Sequence, residues 1–175
     1  MKNLFLSGRP GCGKTTVIKK TIALLGKVKL KGFYTTEMRP RGTRVGFQIT
    51  TLDGRHGILA HVNFQSDKKV GKYGVCLKDI DTVIVPSMRP DRDTPLIIMD
   101  EIGKMECYSE EFKRAAVAAV ESETVVLGTI AIGGSPFIES FRRRSDIEII
   151  QVTGENRDRL PQEIAEIILR ELAME

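Results

Sequence analysis

Two groups of residues in this 175-residue chain could do chemistry. The first is GRPGCGKT, Gly8 to Thr15, which fits G-x-x-x-x-G-K-[ST] at every fixed position. A loop of this type turns main-chain N–H groups inward, so Gly8, Arg9, Pro10, Gly11, Cys12 and Gly13 would wrap phosphate oxygens while Lys14 reached the β and γ phosphates. The Thr15 hydroxyl would ligate Mg²⁺, and Thr16 continues the start of a helix whose N-terminus favours anions. The second group lies in LIIMDEIG, where four apolar residues lead to Asp100 and Glu101. A carboxylate at the end of a buried strand can hold Mg²⁺ through water, which makes Asp100 the second metal candidate beside Thr15. Glu101, one residue further on, could orient and deprotonate an attacking water. Hydrolysis of a nucleotide anhydride, with Lys14 and Glu101 as the catalytic residues, is the chemistry these types and spacings suggest.

Such groups need strands to deliver them. Leu4 to Leu6 is a β-type run ending at Ser7-Gly8, and Thr15 to Leu25 carries Val17, Ile18, Ile22 and Leu25 at helical spacing. Asp53-Gly54 is a turn signal inside a β-hairpin expected over roughly residues 44 to 62. An irregular segment with Gly71, Gly74, Pro86 and Pro90 then precedes PLIIMDE, whose unbroken apolar run implies burial on both faces. Ser109 reads as an N-cap with Glu110 and Glu111 in the first turn, followed by a face of Phe112, Ala115, Ala116, Ala119 and Val120. TVVLGTI and IEIIQVT read as two more buried strands around a helix near Phe137 to Arg144. A last helix starts between Asn156 and Pro161 and packs through Ile164, Ile167, Ile168 and Leu172. The expected fold is a three-layer α/β P-loop domain covering residues 1–175, with a mainly parallel central sheet and an added antiparallel hairpin.

Composition narrows the partners. A net charge of +4 from scattered Lys and Arg suits a polyanion of nucleotide size, so nucleic acid is not required. No apolar run approaches the roughly 18 residues of a membrane span, and no leader pattern is evident, so a cytoplasmic protein without a membrane partner is expected. Cys12, Cys76 and Cys107 have no metal-type spacing and read as three reduced thiols.

The ordered set GRPGCGKT, GFYTTEMRPRGTRVGFQI, IMDEIGKMEC, GTIA and VTGENRDRLP, spread over nearly the whole chain, resembles the small nucleoside-triphosphatases known from thermophiles and vertebrates. The resemblance implies the additional-strand, catalytic-glutamate branch of P-loop proteins, with Mg²⁺ as cofactor. It implies ATP, GTP, CTP and UTP as substrates, cleaved to diphosphate and phosphate. It also implies a second nucleotide-contacting stretch formed by Ile98, Met99, Asp100, Glu101, Ile102, Gly103, Lys104 and Met105. Where family members are often more basic after GTIA, this chain reads Ile132-Gly133-Gly134-Ser135.

Other residues have two readings each. Thr129 is either a sensor of the γ-phosphate or a strand-ending Thr. Lys104 either faces the phosphates or is solvated. Arg39, Arg41 and Arg44 could close over a nucleotide as an arginine finger would, against a default of a solvated loop. Arg142, Arg143 and Arg144 suit a helix C-terminus. Two other functions share the motifs. A nucleotide or small-molecule kinase would use the same P-loop, with the basic segments around Arg39 and Arg142 as lids. A GTP switch would use Asp100 to Gly103 as D-x-x-G, although N-K-x-D is missing.

Overall fold

The computed structural model describes residues 3–174. Five strands run parallel: β1 (Asn3–Ser7), β2 (Leu30–Met38), β7 (Leu96–Ile102), β8 (Val125–Ile130) and β9 (Ile147–Gln151). Four more, β3 (Gly46–Thr51), β4 (His56–His61), β5 (Lys69–Val70) and β6 (Tyr73–Val75), add to the β2 edge in antiparallel fashion. Together they form one sheet in the order β5-β6-β4-β3-β2-β7-β8-β1-β9. The expected hairpin is β3–β4, and it is the centre of a larger antiparallel wing.

Alternation along the parallel strands decides the layers, because successive side chains leave opposite faces. Leu4, Leu6, Leu96, Ile98 and Leu127 pack with α1 (Lys14–Leu25) and the C-terminal helix Leu160–Leu172. Phe5, Ile97, Met99 and Val126 pack on the other side with Phe112, Ala116 and Ala119 of the helix Glu110–Val120. Apolar side chains on both faces leave β7 no place for a charge except its carboxyl end. No helix among the described residues is long and apolar enough to cross a membrane.

Two expectations change. The segment read as irregular contains a helix over 77–87, built from Leu77–Asp79, a π-helical stretch Ile80–Ile84, and Val85–Ser87. Its periodicity was masked because Pro86 and the wider π turn break the ordinary helical spacing, yet Ile80, Ile84 and Met88 are buried against the sheet. In the C-terminal helix Ile164 and Ile168 are buried, whereas Ile167 points outward at 38% exposure, one position off the buried stripe.

We label the helices α1 (Lys14–Leu25), α2 (77–87), α3 (Glu110–Val120), α4 (Pro136–Arg142) and α5 (Leu160–Leu172). Ser109 is the N-cap of α3 as expected, accepting from the Phe112 N–H at 2.9 Å, and its hydroxyl donates to Asp81 of α2. One buried hydroxyl thus ties two helices on the same face of the sheet. Ser109→Ala should cost about 1–3 kcal/mol, because it removes a cap and strips Asp81 of its donor. Chemical denaturation of the two proteins measures the difference.

Candidate active site

β1 ends at Ser7, and the chain turns through Gly8 to Gly13 into α1. Gly13 takes φ +108°, the left-handed region that costs glycine least, and caps α1 without a side chain. No acidic residue occupies the first turn of α1. The free N–H groups at this helix end are therefore left for an anion. Lys14 Nζ meanwhile donates to the carbonyls of Gly8 at 2.9 Å and Arg9 at 3.3 Å, contacts that a doubly charged phosphate oxygen cluster would outbid.

At the end of β7, Asp100 is 4% exposed and lies in the same cavity as Lys14, Thr15 and Thr16, with Glu101 beside it. Thr129 on β8 donates to Asp100 Oδ1 at 2.6 Å. Oδ2 is the one buried side-chain polar atom without a partner among the described residues. Burial drives the Asp100 carboxyl above its ordinary pKa, and the Thr129 and Thr15 hydroxyls and the Lys14 charge oppose that rise. A hard divalent cation fits this donor set, since an orphaned carboxylate oxygen and a nearby hydroxyl are what it binds when phosphates and water complete its shell. Glu101 is also pushed up, by burial first and then by the charge of Asp100, with Lys14 opposing.

The cavity of about 480 Å³ has a second wall, formed by residues of the stretch GFYTTEMRPRGTRVGFQI. Thr35, Thr36 and Glu37 from β2 and Phe47 from β3 line it, together with Arg44 just before β3. β2 is hydrogen-bonded to β7 with Tyr34 opposite Asp100, so the wing brings these residues alongside the carboxylates. Only pairing between distant strands reveals that neighbourhood.

Of the stretch Ile98 to Met105, Asp100 and Glu101 reach this cavity. Ile98, Met99 and Ile102 are fully buried between the layers, which takes their side chains out of nucleotide reach. Lys104 and Met105 line a neighbouring cavity of about 200 Å³ on the far side of Glu101. From the loop, Pro10, Gly11 and Gly13 line the main cavity with Lys14, Thr15 and Thr16, whereas Gly8, Arg9 and Cys12 do not. Thr129 spends its hydroxyl on Asp100. Arg142 is no free lid: it donates to Ser7 Oγ at 2.9 Å and to the Ala131 carbonyl at 3.0 Å. Arg144 is paired with Asp146 at 2.6 Å and Glu121 at 2.9 Å.

A family model described as NTPase matches residues 3–165. The chain belongs to this family. It is 44% identical to a protein of Thermotoga sp. (strain RQ2) named nucleoside-triphosphatase THEP1, over 94% of each chain. Its fold is similar to the crystal structure of THEP1 from the hyperthermophile Aquifex aeolicus, with a TM-score of 0.84 and 36% identity over 96% of this chain and 99% of that one. The solution structure of a human cancer-related nucleoside triphosphatase is similar too, with a TM-score of 0.82 and 34% identity over 96% and 97% of the two chains. The P-loop NTPase fold is thereby established. β8 stands between β1 and β7, the additional strand that the resemblance implied.

In this NTPase-family chain a third acid, Glu106, completes the site from behind. It is 3% exposed, in a turn that follows β7. A Cβ on Gly103 would lie 2.8 Å from Glu106 Oε2 and 3.0 Å from Glu101 Oε1, so the two carboxyl groups converge on space that glycine leaves empty. Gly103 therefore gives the two acids room to pack, whatever else the D-x-x-G pattern does. Burial raises Glu106 well above the ordinary carboxylate range, Glu101 adds to the rise, and main-chain N–H groups of Glu106 and Gly103 oppose it. The same surroundings push the Cys107 thiol up to about 12, which leaves it unreactive. Nothing about a lone Glu in KMECY marks it as buried; its turn must first fold under β7.

A carboxyl that holds its proton in the fold and ionises at its ordinary value when unfolded makes the folded state bind more protons. Stability is then present at low pH and falls as pH rises through the window above the unfolded value. Between about pH 5 and 8 the melting temperature of the wild type should fall more steeply than that of Glu106→Gln, which keeps the volume and cannot ionise. Thermal melts across that range check the slope.

Proposed function

We propose that the chain is a Mg²⁺-dependent nucleoside-triphosphatase of broad base range, cleaving ATP, GTP, CTP and UTP to the diphosphate and phosphate. The observation that carries this reading is the meeting of Glu101, Asp100, Lys14 and the uncapped α1 N-terminus in one cavity. The relatives named above, which are called nucleoside-triphosphatases, support the same chemistry.

The N–H groups of Gly11 and Gly13 and of the first turn of α1 receive the phosphate oxygens, and Lys14 leaves the Gly8 and Arg9 carbonyls to meet the β and γ phosphates. Thr15 and Asp100 would hold Mg²⁺, which when bound neutralises charge on those phosphates. Thr129 holds Asp100 through Oδ1, which leaves Oδ2 for the cation. Glu101 orients a water in line with the γ-phosphorus and accepts its proton. The water oxygen bonds to phosphorus as the bond to the β–γ bridging oxygen breaks, and the electron pair leaves with the diphosphate. The guanine-reading N-K-x-D motif is missing from the sequence, so discrimination among the four bases should be weak. Free Cys12, Cys76 and Cys107 support a reducing, cytoplasmic setting, and a single sheet flanked by both cores supports one catalytic domain.

Phosphate release from the four nucleotides tests this reading. Glu101→Gln should lower kcat by about 10²–10⁴-fold while nucleotide binding persists, as removal of a general base does. Lys14→Ala should abolish turnover and weaken binding as well. Comparable turnover by wild type and Glu101→Gln would remove Glu101 from the mechanism. At Gly103→Ala the three nearest atoms the new Cβ meets are side-chain atoms of Glu106 and Glu101, so the protein should stay folded while kcat drops with the displaced Glu101; paired melts and rate measurements separate the two effects.

A further inference from the structure

We propose that Arg44 is a catalytic residue, the arginine that this chain supplies to its own γ-phosphoryl group during hydrolysis. The inference rests on the hydrolase reading above and adds the second positive charge which that reading leaves unassigned. Lys14 and Arg44 are the two cationic side chains lining the cavity among the described residues, and they come from opposite walls. Charge that spreads over three phosphoryl oxygens in the transition state needs cations on more than one side.

The position is built, unlike those of the neighbouring arginines. Arg39 and Arg41 are exposed and do not line the cavity, although Arg39 pairs with the wall residue Glu37. Arg44 Nε donates to the Tyr73 hydroxyl at 2.9 Å, and that hydroxyl lies 3.5 Å from the Arg44 carbonyl to which it donates in return. Its guanidinium stands over the rings of Phe47 at 5.4 Å and Tyr73 at 5.5 Å, and those rings meet edge to face at 5.3 Å. Nη1 reaches Glu37 Oε1 at 2.9 Å. Those two bonds use two of the five guanidinium N–H groups, so the rest remain for phosphoryl oxygens.

This cradle fixes the plane of the guanidinium before substrate arrives, and Glu37 holds the charge at the cavity edge until a more highly charged phosphate competes for it. Tyr73 lies on β6, far from the phosphate loop in the chain. The antiparallel wing is, on this inference, the element that delivers the arginine.

The test uses the full chain with Arg44→Ala, Arg44→Lys, Tyr73→Phe and, as a control, Arg39→Ala. For each, kcat and KM for ATP, thermal stability, and formation of the ADP–aluminium fluoride–Mg²⁺ complex are measured. Both Arg44 variants should lose kcat by at least about 10²-fold with KM changed only a few-fold, in keeping with arginine fingers elsewhere. They should bind ADP yet fail to trap the fluoride complex, which mimics the transferring phosphoryl group. Tyr73→Phe keeps the charge but frees the guanidinium, so its kcat should fall by less, and Arg39→Ala should match wild type.

Should Arg44→Ala melt below the assay temperature, Arg44→Lys and Tyr73→Phe decide the matter. An unchanged kcat in the folded Arg44 variants overturns the proposal, as does a loss confined to KM, which would make Arg44 a ground-state binder. A wild type that releases no phosphate overturns the hydrolase reading, and this inference with it; a working wild type with an equally fast Arg44→Ala overturns the inference alone.

Discussion

A strand apolar on both faces can place a charge only where it leaves the sheet, and that constraint governs this molecule. β7 runs from Leu96 through Met99 with every side chain buried, then delivers Asp100 and Glu101 at its carboxyl end. β1 obeys the same rule and opens into the phosphate loop at the same edge. Because the two strands run parallel with β8 between them, their polar ends meet above one crevice. Packing on the two faces therefore produces the site, although no packed residue takes part in the chemistry.

At that edge, the electrostatics are deliberately unbalanced. Three carboxyl groups, Asp100, Glu101 and Glu106, are drawn into a poorly solvated space, and burial raises all three. Two hydroxyls, some main-chain N–H groups and Lys14 offset only part of that cost. An arrangement of this kind is unfavourable by itself and becomes favourable when cations and phosphate enter, which is how a site can bind substrate strongly while storing acids of different strength. Glu106, which does not line the main cavity, is the acid pushed up well above the ordinary range, whereas Glu101 faces that cavity.

The antiparallel wing gives the crevice its far wall. It grows from β2, whose pairing with β7 sets Tyr34 opposite Asp100 and so carries Thr35, Thr36 and Glu37 just past the carboxylates. β3 and β6 then set Phe47 and Tyr73 around Arg44. The P-loop and the carboxylates at the end of β7 form one side of the cavity. The wing lines the other side of the cavity with residues whose placement there depends on strand pairing.

The phosphate loop, the paired carboxylates, the Ser109 cap and the parallel strands were legible in the sequence, because each rests on local rules: spacing of glycines, two-faced apolar runs, a capping hydroxyl. Helix α2 was not, since its π turn and Pro86 erase the period by which a helix is read. The burial of Glu106, the commitment of Thr129 to Asp100, the tethering of Arg142 and the cradle around Arg44 were not legible either. Each depends on a partner that chain order leaves distant: Thr129 lies 29 residues from Asp100, Tyr73 lies 29 from Arg44, and Arg142 lies 135 from Ser7. The sequence by itself determined which chemistry was available and on which strands it would sit. Only the tertiary structure decided which of several equivalent arginines and acids would face that chemistry, because a side chain's role there follows from what the fold sets against it.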